Sequence, residues 1–135
     1  MTSSIPTNEF VTDTMGLILR IERRKSGPRA RTIFNLVESG NATVYVPALV
    51  LAEILYLSEK QRISLALGDI ADYLKRFPCC KEYPTSLAVI QSAAQITDIP
   101  ELHDRLIAGT ARLLDLELIT NDPVIRASTF VRTVW

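Results

Sequence analysis

The chain is short of the residues on which much hydrolytic and redox chemistry is built. Its 135 residues include one histidine, His103, and two cysteines, Cys79 and Cys80. The cysteines are adjacent, and neighbouring Cα atoms lie about 3.8 Å apart, short of the usual disulfide span. Free, structural thiols in a reducing cytoplasm are therefore expected. No second Cys/His pair exists to complete a zinc site. Net charge is also missing: 15 basic residues balance 15 acidic ones. That removes any global electrostatic case for nucleic acid or membrane and leaves only local patterning. No apolar run is long enough to cross a bilayer, and the longest is interrupted by Glu53. Residues 1–9 show neither a basic nor an apolar targeting region, so no export signal is expected.

What is present is a 47% hydrophobic composition, enough for the core of one domain expected to span residues 1–135. No repeat, low-complexity tract or linker divides it. Short apolar runs alternate with longer helical patterns, which predicts βα units around a parallel sheet. Strands are expected at residues 10–12, 42–46, 116–120 and 130–134, with a weak edge strand at 81–84 because Pro84 cannot join a central ladder. Helices are expected at 15–23, 28–39, 47–60, 64–77, 86–95, 101–114 and 123–127, from apolar spacing and from Pro28, Ser86 and Asp122-Pro123 as start signals.

Four carboxylates stand out against this pattern. Asp13 and Asp122 each end a strand-like run, on the edge where open parallel sheets carry ligand sites. Either is also a natural helix N-cap. Glu53 sits in a helix with apolar residues on nearly every side, which predicts burial on most faces. Asp104 shares a helical face with Ile107, Ala108 and Ala111. Two like charges 4 Å apart repel by about 4 kcal/mol at an effective dielectric of 20. Convergence of all four therefore requires cations, and an all-oxygen donor set suits hard ions such as Mg²⁺ or Mn²⁺.

The order and spacing of these segments resemble a PIN-domain ribonuclease, most closely the VapC-type toxins of toxin–antitoxin pairs. The resemblance is carried by Phe10-Val11-Thr12-Asp13-Thr14, Pro47-Ala48-Leu49-Val50-Leu51-Ala52-Glu53, His103-Asp104-Arg105-Leu106-Ile107-Ala108-Gly109-Thr110-Ala111 and Leu118-Ile119-Thr120-Asn121-Asp122. It covers nearly the whole chain. Met15-Gly16 departs from the small polar and apolar pair often found there. The resemblance implies an α/β three-layer sandwich with about five parallel strands, metal-dependent cleavage of RNA in the cytoplasm, homodimerisation and inhibition by a cognate antitoxin. It also implies that the amphipathic stretch 63–77, with the preceding helix, receives the antitoxin and helps form the dimer.

On this reading Asp13, Glu53, Asp104 and Asp122 hold one or two Mg²⁺ or Mn²⁺ ions that activate water for attack on a phosphodiester. Thr120, Thr14 and Asn121 are expected to hydrogen-bond the ligands or the attacking water. Arg20, Arg23, Arg24, Lys25, Arg29 and Arg31 cluster against only Glu22 and form the candidate RNA-docking patch. His103 is not expected to be catalytic. Two alternatives remain open. One is a catalytically silent PIN-like binding module. The other is a Mg²⁺-binding, receiver-like signalling domain, disfavoured because no second acid adjoins Asp13.

Overall fold

The computed structural model describes residues 8–135. The reading of residues 1–7 as free of an export signal lies outside that range. The elements run β1 (Glu9–Thr12), α1 (Thr14–Ile21), α2 (Pro28–Glu38), β2 (Thr43–Pro47), α3 (Ala48–Glu59), α4 (Leu67–Arg76), β3 (Cys80–Tyr83), α5 (Leu87–Ala94), α6 (Leu102–Leu114), β4 (Glu117–Ile119), α7 (Pro123–Arg126) and β5 (Thr133–Val134).

All strand pairings are parallel, in the order β3-β2-β1-β4-β5. The first two crossovers move in one direction and the later ones in the other. Right-handed crossovers then place α1–α4 on one face and α5–α7 on the opposite face. Burial agrees with two covered faces. Consecutive residues Val11 and Thr12 in β1 and Leu118 and Ile119 in β4 are all fully inaccessible, as alternate side chains of a doubly covered strand must be. The order excludes the receiver-like alternative, whose doubly wound sheet runs 2-1-3-4-5.

The chain reverses its direction of winding between β1 and β4, neighbours with Thr12 registered against Ile119. This is the switch point at which an open α/β sheet leaves a crevice beyond its strand ends. Asp13 follows β1 directly, and Thr120 to Asp122 follow β4.

Several sequence expectations shift. The expected helix 64–77 begins at Leu67, because Glu22 accepts both the Ser64 hydroxyl (2.6 Å) and its N–H (3.2 Å). Asp69 accepts the Ala66 N–H at 2.9 Å and starts the helix there. The last strand contracts from 130–134 to Thr133–Val134. Asp98 draws the preceding residues away by accepting the Ser128 hydroxyl (2.7 Å) and the Thr129 N–H (2.9 Å). Helix α3 is not buried on most faces. It fully buries only Val50 and Ile54, and Leu55 and Tyr56 are 42% and 52% exposed. Leu49, Leu51 and Leu57 pack half-buried against the core, and the face bearing Leu55 and Tyr56 turns outward. Both cysteines are free thiols, and burial followed by the Glu38 charge pushes Cys80 up to about 12.

Candidate active site

Asp13 is buried at the end of β1 and N-caps α1, accepting the Gly16 N–H on Oδ1 at 2.7 Å. Its Oδ2 accepts the Thr120 hydroxyl at 2.6 Å. The turn is tight enough to require glycine next to the cap. A Cβ at Gly16 would lie 2.6 Å from Thr12 Oγ1 and 3.1 Å from Asp13 Oδ1. Asp122 N-caps α7, and its Oδ1 accepts the N–H groups of Val124 (2.9 Å) and Ile125 (3.0 Å). Capping and ligand roles are thus compatible. A carboxylate oxygen has two lone pairs, and Oδ2 of Asp122 takes no hydrogen bond among the described residues.

Glu53 reaches the same region from α3, with its Oε1 accepting the Thr14 hydroxyl at 2.6 Å. Asp104 arrives on the first turn of α6, where Glu101 caps the helix by accepting the Asp104 N–H at 2.6 Å. The four acids line one cavity of about 450 Å³ with Thr14 and Asn121, and among the described residues no lysine, arginine or histidine lines it. None of the four takes part in an ion pair among the described residues.

Crowding without counter-charge appears in the proton affinities. Burial raises the Asp13 carboxyl, and the hydrogen bonds from Thr120 and Gly16 offset this in part. The charges of Asp122 and Glu53 raise it further. Burial, then the charges of Glu101, Asp122, Glu53 and Asp13, push Asp104 up to about 6. Among the described residues no three acidic, histidine or cysteine side chains, as placed, form a closed set around one ion. The fit to a divalent cation rests on donor chemistry: four carboxylates with hard oxygen donors on one cavity, mutually repelling and without a basic side chain among the described residues to offset them.

Thr120 Oγ1 also accepts the Asp122 N–H at 3.1 Å, so one hydroxyl ties Asp13 to the turn bearing Asp122. Asn121 accepts a hydrogen bond from Arg126 at 3.2 Å at the cavity rim. His103 is exposed, 3.4 Å from Glu101, and does not line the cavity.

The basic cluster divides. Arg20 is largely buried and bound to Glu38 at 2.7 and 2.8 Å, with Tyr73 donating to the same carboxylate at 2.6 Å. Arg23 also reaches Glu38, at 3.4 Å, and Arg24 pairs with Glu22 at 3.0 Å. Glu22 is therefore not the cluster's only acid. Lys25, Arg29 and Arg31 are exposed. Lys25 and Arg31 border a depression that shares Leu19 with the acid-lined cavity.

The sequence model of the PIN domain matches residues 13–130. The chain belongs to the PIN domain family. No protein of curated function matches it in sequence. Among solved structures, this PIN domain is similar to VapBC2 from Rickettsia felis bound to a DNA fragment from its promoter. Identity there is 18% and the TM-score 0.72, over 94% of this chain and 98% of the other. DNA-bound VapBC from Salmonella typhimurium matches at 23% identity and TM-score 0.67, over 93% and 96%. A toxin–antitoxin complex from Klebsiella pneumoniae matches at 17% identity and TM-score 0.63, over 93% and 95%. At these identities the likeness is one of fold.

The cavity also has an apolar lining that the sequence reading did not assign to the site. Met15, Leu19, Leu57, Ile107, Ile125 and Trp135 form the cavity's apolar wall. Trp135 carried one available signal, as the sole tryptophan, placed just beyond a β-branched run.

Proposed function

We propose that this PIN domain is a Mg²⁺- or Mn²⁺-dependent endoribonuclease, the toxin of a toxin–antitoxin pair. The observation that carries the reading is the convergence of Asp13, Glu53, Asp104 and Asp122, from four separate elements, on one cavity without a basic residue. When bound there, a divalent cation supplies Lewis acidity and an activated water for phosphodiester hydrolysis.

The chain's own residues do the rest. Asp13, held at both oxygens, and Asp104, with no side-chain hydrogen bond among the described residues, are the core ligands. Glu53 is oriented by Thr14, and Asp122 by the first N–H groups of α7. Thr120 positions Asp13 and the Asp122 backbone together, and Asn121 stands where it contacts substrate at the rim. Lys25, Arg29, Arg31 and Arg24 bind phosphates flanking the scissile bond, whereas Arg20 and Arg23 hold α1 to α2 through Glu38.

The partner assignment draws on the similar folds, which include a toxin–antitoxin complex. A homodimer and an antitoxin segment would cover the outward apolar stripe of α3, where Leu55 and Tyr56 are exposed, and the adjoining α4.

The reading is tested by incubating RNA with the chain and with its Asp13→Asn variant in Mn²⁺ or Mg²⁺. Cleavage by the chain, abolished by EDTA and by the substitution, is expected. Equal cleavage by the variant would overturn the mechanism. Expression of the chain should arrest growth, with relief on co-expression of the small protein encoded beside it; growth without arrest would remove the toxin assignment.

A further inference from the structure

The acid cluster accounts for only part of the cavity. A divalent cation and a phosphate need the carboxylates and water, not the cavity's apolar wall. That wall includes one aromatic ring, the indole of Trp135. We propose that Trp135 is the stacking platform for a nucleobase next to the scissile phosphate, an assignment that rests on the nuclease reading above.

The ring's position is built in from two sides. The Trp135 carbonyl accepts the N–H groups of Arg29 and Ala30, each at 3.1 Å, in the first turn of α2. That turn has no side-chain cap, because its N-cap is Gly27. The glycine is required sterically. A Cβ at position 27 would collide with the Trp135 backbone and lie 2.5 Å from Cδ1 of the indole. Sequence at position 27 therefore accommodates a ring set by residue 135. A ring held in this way loses little freedom when a base stacks on it.

The indole is half-buried against the edge of the core, with part of it left on the cavity. Among the described residues it stacks on no other aromatic ring and lies under no Lys or Arg. Its surroundings suit a nucleotide. The carboxylates line the cavity, and Leu19 lines both it and the depression bordered by Lys25 and Arg31. Arg29, whose N–H binds the Trp135 carbonyl, is exposed beside it. A single strand crossing here meets a cation site, an aromatic face and basic side chains in succession, the combination that binds single-stranded nucleic acid. Every base has a π-face, so the platform contributes affinity and placement without choosing a sequence.

Trp135 is the only tryptophan in the chain, so emission excited at the red edge of the indole band, beyond tyrosine absorption, reports on this ring alone. The full chain is titrated with a short single-stranded oligoribonucleotide in Ca²⁺ buffer, which supplies counter-charge for the acids. A matched oligonucleotide lacking its bases is titrated in parallel, and binding is followed independently by the anisotropy of a label on the nucleic acid. Saturable quenching by the base-containing strand alone is expected, with binding about tenfold tighter than for the abasic strand. Trp135→Leu should erase that difference and Trp135→Phe should keep most of it. Unchanged emission at saturation, or equal quenching by both strands, would overturn the assignment. If RNA is still cleaved in Mg²⁺, the nuclease reading survives that failure. If no strand binds and none is cleaved, both fall.

Discussion

Thr120 donates its hydroxyl proton to Asp13 Oδ2 at 2.6 Å, joining residues 107 apart in sequence. Thr120 Oγ1 in turn accepts the Asp122 N–H. The link crosses from β4 to β1 at the point where the sheet reverses its winding, and it fixes one carboxylate and the backbone of another together.

Thr120→Val keeps the shape and removes both bonds. A buried acceptor and an N–H lose their partner, which should cost about 1–3 kcal/mol of stability. Loss of the hydroxyl that orients a ligand should weaken Mn²⁺ binding by about 10- to 100-fold. Thr120→Ser should restore most of both. Thermal unfolding and Mn²⁺ titration check the pair of effects.

Without cations the four acids repel one another. Asp104→Asn should therefore stabilise the metal-free chain by about 1 kcal/mol, on the order of 4 °C in Tm. A lower Tm for this variant in EDTA would show that the acids are not crowded.

Two groups give opposite pH dependence. Asp104 is raised from 3.8 to about 6 in the folded chain, so the fold binds its proton more tightly than the unfolded chain does. Its penalty is absent below 3.8 and fully developed above 6. In EDTA, stability from this group should fall as pH rises between those values, and Asp104→Asn should lack that component. Glu38 behaves in the reverse sense. Burial opposes its charge, but hydrogen bonds from Arg20 and Tyr73 and the charges of Arg20 and Arg23 prevail and lower it from 4.5 to about 2. Its stabilisation is complete above 4.5 and lost as pH falls towards 2. Unfolding curves across pH for the chain and for Glu38→Gln separate the two.

The basic residues should divide the same way under mutation. Arg20→Gln leaves Glu38 without its main partner and should cost about 3 kcal/mol of stability. Lys25→Gln or Arg31→Gln should leave Tm unchanged and lower the salt dependence of RNA binding by about one phosphate contact each. Unfolding and salt-dependent binding measured on the same variants test the division.

What could be read from the sequence follows from the range of the interactions involved. Helical spacing located α1, α2, α5 and α6 within a few residues, because apolar periodicity is local. Asp13 and Asp122 were visible because each directly follows a strand in a βα order whose ligand edge is known in advance. Partners far apart in the chain were not visible. Arg20 meets Glu38 and Tyr73 meets Glu38 across 18 and 35 residues, and nothing local to Arg20 signals that it is committed. Gly27 and Trp135 are unremarkable until the fold sets them in contact. The uniformly apolar α3 suggested all-round burial, whereas its outward stripe is free in the single chain. Apolar composition cannot distinguish a core face from an interface face.

The central claim is that four carboxylates form one divalent-cation site. It is tested most directly by the rise in Tm with added Mn²⁺, measured for the chain and for Asp13→Asn, Glu53→Gln, Asp104→Asn and Asp122→Asn. A saturable rise in the parent that every substitution weakens is the predicted result. An equal rise in all five proteins, or none in the parent, would contradict it.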